Sequence, residues 1–97
     1  MTRTIERTTQ FKRDYKRELK GPFKALLQSL DGELPAVLNA LANDRALPDR
    51  CRDHVLGGEW KDFRDCHIRP DLVLIYRKPD PWTLQLARLG SHSELGL

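Results

Sequence analysis

Three histidines, His54, His67 and His92, all fall in the second half of a 97-residue chain. Imidazole has an unperturbed pKa of about 6.5, so one ring of a histidine pair can be neutral while the other is protonated. Cutting an RNA backbone without a metal needs that combination. A base takes the proton from the ribose 2′-hydroxyl, an acid protonates the departing 5′-oxygen, and cations stabilise the phosphorane between them. Asp71 follows His67 across a short Arg69-Pro70 joint, and its carboxylate could orient an imidazole and raise its pKa. Arg64 and Arg88 stand near strand ends, where a planar guanidinium suits developing phosphate charge, and Lys61 joins them as a candidate RNA contact.

Plainer readings stand beside these. A surface histidine is usually a solvated side chain, and an Asp after Pro70 commonly bonds its own turn. Trp60 and Trp82 suit the core or strand packing better than base stacking. A zinc site from Cys51, His54, Cys66 and His67 fails on geometry, because adjacent strand residues point to opposite faces. The expectation is no metal and no cofactor. By themselves these residues name no enzyme.

The elements that must position them follow from periodicity. Residues 4–9, with Ile5 and three threonines, suit a first strand. From Gln10, apolar residues at Phe11, Tyr15, Leu19, Phe23, Leu26, Leu27 and Leu30 alternate with Lys12, Lys16, Lys20 and Lys24, which predicts an amphipathic helix. Gly21-Pro22 should kink or break it near Lys20. A second helix is expected after Asp31-Gly32, with Leu34, Val37, Leu38 and Leu41 as its buried stripe, fading at Asn43-Asp44.

Residues 45–58, with Pro48 and Gly57-Gly58, read as a loop that holds His54. Three antiparallel strands follow at 60–68, 71–77 and 82–89, the middle one buried on both faces. The predicted order is β-α-α-β-β-β, an α+β domain with two helices covering a mainly antiparallel sheet. His67 and Asp71 should meet across a hairpin mouth. His92 is expected to leave the third strand on the edge where the first begins, so it reaches His67 only if the tail or the loop folds across.

Composition bounds the rest. With 39% hydrophobic residues the chain supports one modest core, hence one domain, residues 1–97. Seventeen Lys and Arg against 14 Asp and Glu leave a net charge of +3, which favours polyanionic partners. No segment approaches the roughly 18 consecutive apolar residues of a membrane span, and the start is charged from Arg3 onward, so the expected location is the cytoplasm. Two cysteines, Cys51 and Cys66, are too few to staple a secreted fold and are expected as free thiols.

Three segments run in a distinctive order: Arg52-Asp53-His54 with Leu56-Gly57-Gly58-Glu59-Trp60-Lys61; Arg64-Asp65-Cys66-His67-Ile68-Arg69-Pro70-Asp71 continuing to Arg77; and Arg88-Leu89-Gly90-Ser91-His92-Ser93-Glu94-Leu95. In order and spacing they resemble the YafQ family of the RelE-like toxin superfamily. In the first half the opening strand and Phe11-Lys12-Arg13-Asp14-Tyr15-Lys16-Arg17 are similar.

The resemblance implies a RelE-like fold and a ribosome-dependent endoribonuclease that acts on mRNA, paired with a DinJ-like or RelB-like antitoxin. It carries catalytic roles to His54, His67, Asp71 and His92, with His92 as general acid and His54 and His67 sharing proton transfer and phosphate contact. Lys12, Lys16, Lys20 and Lys24 would then face ribosomal RNA. Some members place an aromatic residue where this chain has Gly96, so the resemblance does not carry over a stacking contact there, and Leu97 offers only apolar contact. The alternatives are a ParE-like gyrase inhibitor, which has no use for a histidine set, and a non-catalytic nucleic-acid-binding module.

Overall fold

A computed structural model describes residues 2–97. Its elements run β1 (Thr4–Arg7), α1 (Thr9–Glu18), α2 (Lys24–Gln28), α3 (Glu33–Ala42), β2 (His54–Val55), β3 (Arg64–Arg69), β4 (Leu72–Arg77), β5 (Thr83–Gly90) and α4 (His92–Leu95). This is the expected α+β class. The sheet order is β1-β5-β4-β3-β2. The β2–β5 portion is antiparallel, whereas β1 runs parallel to β5, with Thr4 opposite Thr83 and Arg7 opposite Leu86.

Local chemistry explains the breaks. Thr8, expected inside the first strand, instead caps α1 by accepting a hydrogen bond from the Phe11 amide at 3.0 Å. The long helix divides as Gly21-Pro22 requires: α1 ends at Glu18 and α2 begins at Lys24. Tyr15 ties the two pieces together, its hydroxyl donating to the Leu27 carbonyl at 3.0 Å.

The sheet buries both faces. Against α1, α2 and α3 it presents Cys66, Ile68, Leu72, Leu74, Tyr76, Leu84, Leu86 and Leu89, which pack with Phe11, Leu27, Leu34, Val37 and Leu41. The other face carries Val73, Ile75 and Ala87 beneath Leu95, with Leu56, Trp60 and Phe63 alongside. Alternate residues of β4 therefore face two cores, and all five from Leu72 to Tyr76 are buried.

Five expectations need correction. The predicted loop contains β2, and a further helix, α4, follows β5. Three helices rather than two lie on the sheet's covered face. Trp82 is 62% exposed at the end of the β4–β5 turn, just before β5 and outside either core, while Trp60 packs edge-on against Phe63. Finally, two antiparallel steps return the third meander strand to the end of the first, not its beginning: Val73 pairs with both His67 and Gly90. Cys51 and Cys66 are free and buried. Among the described residues, no helix is long and apolar enough to cross a membrane.

Candidate active site

Strand alternation creates the site. Cys66 and Ile68 point into the helix-side core, so Asp65 and His67 project from the opposite face of β3. His54 lies across from Asp65 on β2. Its Nδ1 is 2.6 Å from the Arg52 carbonyl oxygen and 3.0 Å from Asp65 Oδ1. A carbonyl can only accept, so the Nδ1 proton is donated to Arg52, and Nε2 is the nitrogen left for a substrate. Among the described residues no hydrogen-bond donor is directed at Asp65 Oδ1, which therefore acts on the histidines through its field.

Asp65 is only 2% exposed. Burial pushes its carboxyl above the ordinary range, opposed by the charges of His54, His67 and His92 around it. His67 moves the other way: burial lowers its pKa, and the neighbouring His92 lowers it further. The His67 and His92 ring centres are 4.9 Å apart, with their planes tilted by 54°.

The turn into α4 supplies the fold-back that His92 required. Ser91 accepts from the Glu94 amide while Glu94 accepts from the Ser91 amide, a complete capping box around a helix of four residues. Leu95 then pins the helix onto the sheet among Val73, Ile75 and Ala87.

The other expected residues are placed differently. Asp71 is exposed in the β3–β4 turn, where it borders a groove together with Glu33 and Arg69. Among the described residues it makes no ion pair or side-chain hydrogen bond, and Asp65 is the carboxylate beside the rings. Arg88 turns away to Asp14, with Nε 2.7 Å from Oδ2. Arg64 lies on the Cys66 face of β3 and pairs with Asp53 at 3.1 Å, while Lys61 is exposed in the turn before β3. Lys12 and Lys16 edge a 560 Å³ apolar groove on the helix layer, and Lys20 and Lys24 are exposed beyond it.

Sequence reasoning missed Asp65 and Arg52. Asp65 was legible as the residue two before His67 on a strand, hence on the same face. Arg52, in a left-handed conformation with φ 48°, brings a positive charge that also lowers the His67 pKa. Among the described residues, no three His, Cys, Asp or Glu side chains converge to hold a metal ion.

Residues 3–96 match the model of a family described as the bacterial toxin of type II toxin–antitoxin systems, YafQ. The chain belongs to the YafQ toxin family. The mRNA interferase toxin YafQ of Escherichia coli K12 is 34% identical over 93 residues, spanning 96% of this chain and 95% of that protein. Among solved structures, a copper-bound mutant toxin from Helicobacter pylori superposes with a TM-score of 0.83 at 37% identity, covering 98% and 99% of the two chains. The E. coli DinJ–YafQ toxin–antitoxin complex gives 0.78 at 32% identity, with 98% of each chain covered. Both structures share the α+β fold described above.

Proposed function

We propose that this YafQ-family toxin is a ribosome-dependent endoribonuclease that cuts mRNA by acid–base catalysis at His54, His67 and His92 around Asp65. The observation that carries this reading is the adjacency of His67 and His92, 4.9 Å between ring centres, with burial and its neighbour both favouring a neutral His67. Two imidazolium ions this close would repel, so one proton shared between two rings is the favoured state.

In the reaction, neutral His67 takes the 2′-hydroxyl proton as that oxygen attacks phosphorus. Protonated His92 gives its proton to the departing 5′-oxygen. The products are a 2′,3′-cyclic phosphate, opening to a 3′-phosphate, and a 5′-hydroxyl. Asp65 favours the imidazolium forms, and His54, protonated on both nitrogens, donates from Nε2 to a phosphate oxygen beside Arg52. Asp71, free at the turn tip, is available to RNA lying along that end of the sheet. Arg64 and Lys61 extend the basic track.

No step calls for a metal. The ribosome contributes what a small domain enforces poorly, the in-line geometry of the message, and Lys12, Lys16, Lys20 and Lys24 bind its RNA. The partner that silences the toxin is a DinJ-like antitoxin, and the site of action is the cytoplasm.

The test is a translation reaction with a defined message, in which transcript ends are mapped. Cuts should appear with translating ribosomes, vanish without them, persist with a chelator selective for copper and zinc, and vanish in His92→Ala. Cleavage of naked message, or loss of cleavage with the chelator, overturns the corresponding part of the reading.

A further inference from the structure

The acid histidine stands on a helix of four residues, too short to hold its own shape in water. Its capping box and the Leu95 anchor lie within the tail itself. One long-range charged tether also reaches it, and that tether starts in α1 from a buried carboxylate.

Asp14 is fully buried. Its oxygens accept from Arg88 Nε at 2.7 Å, Arg88 Nη2 at 3.2 Å, the Leu89 amide at 3.1 Å and Arg17 Nη1 at 2.9 Å. Burial works to raise its pKa, but those donors outweigh burial and hold it below the ordinary carboxylate value. Arg17 is thus fixed on one side by Asp14, and its Nη2 donates to the Leu89 carbonyl at 2.8 Å. The same guanidinium places Nε 3.0 Å from Glu94 Oε2, an ion pair, while the Nε hydrogen bond goes to Glu18 Oε2 at 3.2 Å on α1 itself. The other oxygen of Glu94 accepts from the Ser91 amide at 3.0 Å, one residue before His92.

Gly90 shows that the chain makes room for this bridge. A Cβ at residue 90 would sit 2.7 Å from Arg17 Nη2 and 3.3 Å from Glu94 Oε1. Any side chain there would push the guanidinium off the strand it clamps.

We propose that Arg17 is a positioning residue for His92, holding Glu94 and with it the α4 cap so that the His92 ring stays against His67. An isolated exposed ion pair holds geometry poorly, because two flexible side chains must be ordered for it. Here one partner is already ordered by Asp14 and the β5 backbone, so the pair transmits position from α1 to α4. Such a role presupposes the acid–base cut proposed above, with His92 as proton donor.

The test compares Arg17→Met, Glu94→Ala and Gly90→Ala with wild type in the ribosome-programmed cleavage reaction, and records the His92 ring signals by NMR on the free proteins. Circular dichroism checks that each variant is folded. All three should lower kcat by about tenfold with KM within twofold, as expected when a reacting group is misplaced. They should also broaden or shift the His92 ring resonances, while Glu94→Gln, which keeps an acceptor for the Ser91 amide, falls between Glu94→Ala and wild type.

If Arg17 instead held RNA phosphate, Glu94→Ala would free the cation and lower KM with kcat intact, which overturns the proposal. Unchanged kcat and unchanged His92 signals in folded Arg17→Met overturn it as well. Should wild type itself fail to cut, the nuclease reading fails, and the ring signals alone decide whether Arg17 positions His92.

Discussion

His67 couples the site to stability through its proton. Its pKa lies below 6.5 in the folded chain, while the unfolded chain binds the proton at that ordinary value. Below 6.5 the unfolded state therefore holds more protons, so stability falls as pH drops into that window and recovers as pH rises through it. Thermal melts of wild type and His67→Asn across the window should show a shallower pH slope for the variant. Equal slopes would mean that the ring is not buried against its neighbours as described.

Asp65 has the opposite sign. A carboxyl whose folded pKa is raised loses stabilising effect as pH rises above the ordinary carboxylate range, and at neutral pH the ionised form is held in a poorly solvated place. Asp65→Asn should therefore melt no lower than wild type at neutral pH, while cleavage falls by about a hundredfold because the imidazolium ions lose their counter-charge. A variant that is less stable and fully active would contradict the placement of this side chain among the rings.

Elements carry the second set of consequences. Asp14 welds α1 to β5, and removing one partner of a buried pair leaves Arg88 and the Leu89 amide without their acceptor. Asp14→Ala should cost about 3–5 kcal/mol by denaturant titration. Thr8→Ala should cost about 1 kcal/mol for the lost cap. The cap hydroxyl also donates to the Ala87 carbonyl at 2.9 Å, so the loss registers on β5 too.

What could be read in the chain tracks element length. The stripes of α1 and α3 and the apolar run of β4 span enough residues for a period to show, and they stand where expected. A two-residue strand and a four-residue helix each span about one period, too little for a repeat to show. β2 exists because β3 offers it a register at Asp65 and Arg64, which is tertiary information. The α4 start was nonetheless spelled out, since Ser91 and Glu94 have the capping-box spacing.

Side-chain direction divided the site in the same way. The three histidines were recognisable by type, but the partner of Arg88 lay 74 residues away on a helix, so its withdrawal from the site could not be read locally. An acidic residue three after Phe11, within the inward stripe of α1, was the available sign.

At the scale of the whole molecule, charge separates two surfaces: the imidazoles occupy one face of the sheet, and Lys12 and Lys16 the helix layer on the other. Reversing both lysines to glutamate should weaken ribosome binding and flatten its dependence on salt by roughly the two lost phosphate contacts. Sedimentation with ribosomes at several salt concentrations measures this. An unchanged slope would assign those lysines to solvent.

The parallel pairing of β1 with β5 has a consequence for synthesis. The opening strand waits for a partner made some eighty positions later, and His92 is added only after that partner. A half-made copy emerging from the exit tunnel can form its helices, but it has neither β1 paired in the sheet nor His92 beside His67. Synthesis therefore brings His92 beside His67 only once β5 is there to close the sheet between β1 and β4.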